Sequence, residues 1–177
     1  MLKDDVARVL APDDSADLSN LALDQLRARR AECTSVEAKV SYLRRLIHGA
    51  TDIVGRELTR RGEGAPPTDM SHLIEELPEA LAGNVNPGGH THIVSNVLPP
   101  DVDEVTTELD ALVDRRSLTS LPDLADEDVN ALAERLAEAD RTLSRDRSAL
   151  FERIDSLAAE LTRRYKAGEA DVQSVLP

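Results

Sequence analysis

The sequence predicts an all-α chain: an antiparallel coiled-coil hairpin of two long helices with internal duplication, plus short helices in a long, partly disordered connection. Three observations predict it. The pentapeptide ELTRR occurs at Glu57 to Arg61 and again at Glu160 to Arg164, an offset of 103 positions. Apolar residues upstream of each copy recur at heptad spacing. Two Tyr, one Phe and no Trp in 177 residues leave Leu, Val, Ile and Ala to form the core, which suits paired helices better than a deep globular interior.

The same offset, carried without gaps, sets Leu18 on Leu121, Leu21 on Leu124, Ala22 on Ala125, Ala28 on Ala131, Ser41 on Ser144, Arg44 on Arg147 and Asp52 on Asp155. Glu37 with Asp140, Val40 with Leu143 and Val54 with Leu157 keep their character. A unit of about 44 residues is therefore present twice.

Residues 1–17 carry Asp4, Asp5, Asp13, Asp14 and Asp17 around Pro12 and read as a mobile acidic tail. Residues 18–61 read as the first long helix, capped by Ser19 or Asn20 and stopped by Gly62, Gly64, Pro66 and Pro67. At 1.5 Å per residue it is roughly 60 Å long, which demands a partner along its length. Residues 62–121 form the connection, with short helices at 70–82 and 102–116 around a loop, NVNPGGHTHIVSNVLPP, at 84–100. The second long helix spans 122–167, beginning after Pro122 with Asp123 or Asp126 near its cap and ending before Gly168; residues 168–177 are a C-terminal tail.

Val36, Val40, Leu43, Ile47, Ala50 and Val54 alternate steps of four and three, a heptad seam made for helix pairing. Leu136, Ala139, Leu143, Leu150, Ile154, Leu157 and Leu161 form its counterpart, interrupted by Asp146 where the first copy has Leu43. One residue further round, about 100° about the helix axis, lies a polar stripe. It comprises Glu37, Ser41, Arg44, His48 and Asp52 on the first helix, and Asp140, Ser144, Arg147, Phe151 and Asp155 on the second. On one helix such a stripe is ordinary salt bridging beside a seam. Generic salt bridging does not require the same Ser, Arg and Asp in two copies, whereas a ligand touched by both helices does. Arginine donates in pairs to the O6 and N7 edge of guanine, a carboxylate accepts from guanine N1–H and N2–H₂, and a serine hydroxyl reaches phosphate oxygen.

The stretch EAKVSYLRRLIHGATDIVGREL, with its LALDQLRARRAE lead-in, resembles the RsiG anti-sigma factors of actinobacteria, also described as aerial mycelium formation proteins. Their motif, E-x-x-x-S-x-x-R-x-x-x-Q-x-x-x-D, occurs on each of two long antiparallel helices. The resemblance implies that both stripes bind cyclic di-GMP, held as a dimer between the helices, and that the loaded form sequesters a WhiG-like sporulation sigma factor and represses its transcription programme. It implies no cofactor, no chemistry on the nucleotide and a monomer when free. His48 and Phe151 stand where the family has Gln, and Asp140 where it has Glu. His48 keeps hydrogen-bonding capacity; Phe151 offers stacking alone. The alternative is a nucleotide-independent coiled-coil adaptor, or an anti-sigma protein that has lost cyclic di-GMP control.

A net charge of −13 opposes direct DNA binding, and the Arg pairs lie among acids on helix faces. A single cysteine, no signal-peptide pattern and no long apolar run predict a cytoplasmic protein without membrane attachment. His90 and His92 lack a third metal ligand nearby, His72 has no visible role, and Cys33 reads as a small seam residue rather than a nucleophile. No phosphate loop, nucleophile elbow or metal-helix motif marks an enzyme. Gly49 and Gly55 bracket Asp52, either to admit a ligand or close helix, or through ordinary tolerance of glycine in a long helix.

Overall fold

A computed structural model of the protein describes residues 2–11, 18–65, 102–113 and 115–168. The predicted helix at 70–82, the loop at 84–100 with His90 and His92, His72, and residues 169–177 lie outside these. The described residues are helical with short turns, and no strand occurs among them. In chain order the helices are α1 (Leu2–Leu10), α2 (Leu23–Gly62), α3 (Val102–Leu112), α4 (Arg115–Thr119) and α5 (Asp126–Lys166). A 3₁₀ turn precedes each long helix, Leu18–Asn20 before α2 and Leu121–Asp123 before α5. Among the described residues no helix is long and apolar enough to cross a membrane.

The chain divides into two compact units, one of Met1–Val40 with Arg145–Pro177, the other of Ser41–Ser144. In the first unit Arg27 meets Tyr165 and Glu37 meets Arg147; in the second Arg44 meets Asp140 and Arg61 meets Asp126. Rising positions on α2 pair with falling positions on α5, so the segments run antiparallel within each unit. Burial follows the predicted seam. Val36, Val40, Leu43, Ile47, Ala50 and Val54 are all buried, as are Leu136, Ala139, Leu143, Leu150, Leu157 and Leu161. Leu26, Cys33, Val129 and Leu132 extend it towards the helix starts. Ile154 is only half-buried, and Asp146 is half-buried between Leu143 and Leu150. Each fully buried Leu, Ile or Val contributes about 1.5–3 kcal/mol.

Three expectations are corrected. Residues 2–10 are not a mobile tail but helix α1, because Leu2, Val6 and Val9 recur at helical spacing and are buried. Its charges are placed as well: Arg8 bonds both Asp5 and Glu32, and Lys39 lies 3.7 Å from Asp5. Ser19 and Asn20 do not cap an α-helix beginning at residue 18; they belong to the 3₁₀ turn, and α2 starts at Leu23. The predicted helix at 102–116 stops at Leu112, and a separate short helix follows from Arg115.

The repeated pentapeptide explains both long-helix starts. Arg61 Nη2 donates to the Leu121 carbonyl at 2.8 Å, and Arg164 Nη2 donates to those of Leu18 and Ser19, each at 2.9 Å, while its Nη1 reaches Leu21. The Leu18 and Leu121 carbonyls also accept from the Leu21 and Leu124 N–H groups at 3.3 Å, so each guanidinium braces the single turn that precedes a long helix. Glu57 holds Arg60 and Arg61 in place, and Glu160 holds Arg163 and Arg164 in the same way. Beyond these clamps the helices end on Gly64 (φ +65°) and Gly168 (φ +72°), left-handed positions that glycine adopts without a Cβ clash.

Bonding from Arg60, then Arg61, holds the Glu57 carboxyl down to about 2, and Arg163 with Arg164 does the same for Glu160, against an ordinary 4.5. Both folded values lie below the unfolded one, so the stability they confer is complete above pH 4.5 and is lost as the pH falls through about 2. Glu57→Gln is expected to destabilise the fold by about 1–3 kcal/mol at neutral pH. It should also flatten the acid limb of a denaturant-melt series; an unchanged limb would show that the clamp is not coupled to folding. Gly55 is exposed and an added Cβ there meets nothing within 4 Å, so it admits no close helix. Gly55→Ala should raise stability by up to about 1 kcal/mol in thermal melts.

Candidate functional site

The polar stripes run along the flank of the seam, where side chains are neither sealed in nor fully hydrated. Glu37, Ser41, Arg44 and His48 are half-buried, as are Asp140, Ser144, Arg147 and Phe151; Asp52 and Asp155 are exposed. The helix period sets this, since steps of four, three and four keep the first four residues beside the seam. The last step of four carries the aspartates outward.

Two clusters result, one in each unit. In the second unit Arg44 Nε donates to Asp140 Oδ1 at 2.9 Å, and His48 Nε2 lies 2.8 Å from the same oxygen. One carboxylate oxygen on α5 thus joins two residues one turn apart on α2. In the first unit Arg147 Nε donates to Glu37 Oε1 at 3.2 Å, and the Arg147 guanidinium carbon sits 4.6 Å from the centre of the Phe151 ring, in cation–π range.

These clusters correspond position by position. Arg44 and Arg147 stand 103 apart, as do Asp140 and Glu37, and His48 and Phe151. Each arginine pairs with the acid that opens the other helix's stripe. The correspondence continues into the clamps, where Arg61 reaches Leu121 and Arg164 reaches Leu18, and into the short helices, where buried Leu2 corresponds to buried Val105.

Burial pushes the Asp140 carboxyl up, but bonds from His48 and Arg44 outweigh it and hold the group below its ordinary 3.8. Burial pushes the Cys33 thiol up, which keeps it protonated and fits a seam residue rather than a nucleophile. Ser41 and Ser144 lie half-buried in mid-stripe, about one turn before Arg44 and Arg147.

Two features escaped sequence reasoning. The backbone-holding roles of Arg61 and Arg164 were signalled by the repeated ELTRR, yet their targets lie 60 and 146 residues away. Which acid faces which arginine was likewise hidden, because periodicity fixes a residue's face but not the register of the opposing helix.

Residues 12–81 match the RsiG-like family model. None of the curated proteins compared with the chain matches it.

The Arg44–Asp140 pair leaves both side chains about one-third exposed, so a double-mutant cycle on Arg44→Ala and Asp140→Ala should give a coupling of about 0.2–1 kcal/mol. The Asp140 carboxyl should titrate below 3.8 by NMR and return towards that value in His48→Leu. A midpoint unmoved by that change would remove His48 from the cluster.

Proposed function

Because residues 12–81 match the RsiG-like family model, we propose that the chain is an anti-sigma factor of that family, governed by cyclic di-GMP. In this reading the chain is an internally duplicated antiparallel hairpin. Loaded with nucleotide, it occupies a WhiG-like sigma factor and withholds it from RNA polymerase. Glu37, Ser41, Arg44, His48 and Asp52, with Asp140, Ser144, Arg147, Phe151 and Asp155, are the ligand-binding residues.

The observation that carries this is the paired recurrence of one arginine, one carboxylate from the opposite helix and one mid-stripe serine, at corresponding positions of the two copies. The set matches the demands of a guanine nucleotide: a two-pronged donor for O6 and N7, an acceptor for N1–H and N2–H₂, and a hydroxyl for phosphate. The recurrence suits a ligand that is itself twofold. Carboxylates repel phosphate, so Glu37 and Asp140 belong at base edges.

Nucleotide control follows from exchange. Arg44 and Arg147 each bond an acid of the opposite helix, and a guanine that takes the arginine and satisfies the acid replaces a direct cross-helix bond with a bridged one. A partner that binds the bridged arrangement better then shifts the population towards it. Two observations favour a second reading, a constitutive adaptor or anti-sigma protein without nucleotide control. The motif arginines and acids already form the flanking ion pairs such an adaptor would carry, and Phe151 cannot hydrogen-bond.

Isothermal calorimetry of the protein with cyclic di-GMP, against cyclic di-AMP, separates the readings. Guanine-selective binding should fall at least tenfold in Arg44→Ala and in Arg147→Ala while helical circular dichroism is kept. Absence of binding by the wild-type protein would leave the adaptor, in which stripe substitutions spare partner binding and seam substitutions abolish it.

A further inference from the structure

Of the five corresponding stripe positions, the pair His48 and Phe151 alone changes from a hydrogen-bonding to an aromatic hydrocarbon side chain. The two residues also grip opposite members of the cross-helix ion pair. His48 bonds the acceptor, adding a second contact to the Asp140 oxygen that already takes Arg44. Phe151 touches the donor, with the Arg147 guanidinium carbon 4.6 Å from its ring centre.

The physical consequence differs between the clusters. For Arg44 to turn to a base edge, Asp140 must give up one of two bonds on a shared oxygen, and His48 must be accommodated as well. For Arg147 to turn, the 3.2 Å bond to Glu37 is exchanged, and the guanidinium can keep its contact with the Phe151 ring throughout. A planar guanidinium already resting on an aromatic ring is a preformed stacking platform, and every purine presents a π-face to extend such a stack.

We infer that Phe151 is a specificity-setting residue that makes the Arg147 cluster the tighter, first-occupied nucleotide site, bound by stacking on the Phe151–Arg147 platform, while the Arg44 cluster takes its nucleotide second and through hydrogen bonds. The inference rests on the nucleotide reading above and adds an order of filling and a division of labour between the two copies. The two clusters, though carried by repeated sequence, are not interchangeable.

The test is calorimetric titration of the full-length wild-type protein, Phe151→Leu, Phe151→Tyr and His48→Leu with cyclic di-GMP, each checked by thermal melting without ligand. The wild-type isotherm should resolve a tight and a weaker class. Phe151→Leu, which keeps the apolar contact but removes the ring, should weaken the tight class by about tenfold or more with little change in melting temperature. Phe151→Tyr should restore it, a rescue that a merely space-filling role would not distinguish from Leu. His48→Leu should weaken only the second class. Phe151→Leu titrating like wild type, or His48→Leu removing the tight class, would overturn the inference while leaving nucleotide binding intact. A wild-type protein that binds no cyclic di-GMP would overturn the functional reading and this inference with it.

Discussion

Burial of one aliphatic seam on each long helix is the constraint from which the other features follow. With so few aromatic side chains, the chain can exclude water only by laying Leu, Val, Ile and Ala of one helix against those of another. Helices of 40 and 41 residues have no other means of staying ordered along their whole length. Once the seam is inside, the residues one step round the helix are held at half-burial by geometry alone. The polar stripes therefore owe their position to the apolar residues beside them: Val36, Val40, Leu43 and Ile47 place Glu37, Ser41, Arg44 and His48.

The chain uses two kinds of arginine, and their surroundings decide how each behaves. Arg164 and Glu57 are buried, and the guanidinium bonds that run to backbone carbonyls have no water ready to replace them. Removing either partner leaves a desolvated charge or carbonyl, at several times the penalty of an exposed pair. Arg44 and Arg147 lie about one-third exposed on acids that water also reaches, where an ion pair is worth at most about 1 kcal/mol. The clamps thus suit permanent joints between each long helix and the turn before the other. The stripe pairs are weak enough for a ligand to exchange them.

What the sequence disclosed and what it concealed follow from the same physics. Heptad spacing made the seam legible residue by residue, and the one-residue shift made the stripe legible, because both are properties of a single helix. Helix α1 was hidden by composition: Asp4, Asp5, Asp13, Asp14 and Asp17 outweigh Leu2, Val6 and Val9, although the latter fall at steps of four and three. The start of α2 was misread because Ser19 and Asn20 are good caps in isolation, and what overrides them is a guanidinium arriving from Arg164. Ile154 follows the heptad yet is only half-buried, since pattern records a residue's face and not how closely the opposing surface approaches. The pairing of Arg44 with Asp140 and of Arg147 with Glu37 was beyond reach for a related reason, as it depends on register between helices far apart in sequence.

Repetition sharpens the contrast between the conserved and the altered positions. At corresponding places the two copies keep the clamp glutamate, the clamp arginine, the stripe serine and the stripe arginine, so the forces that fix the helix starts and align the ion pairs act alike in both. Where the copies diverge, as at Leu43 against Asp146, or His48 against Phe151, nothing in the helix period demands it, because both members of each pair fit a half-polar flank or seam. Such differences between the corresponding segments are tolerated most readily where no buried bond depends on them. His48 and Phe151 meet that condition: each supports an exchangeable ion pair from one side, and neither contributes to a clamp. The asymmetry therefore sits where it leaves undisturbed how the helices hold together, and where the proposed ligand would meet it.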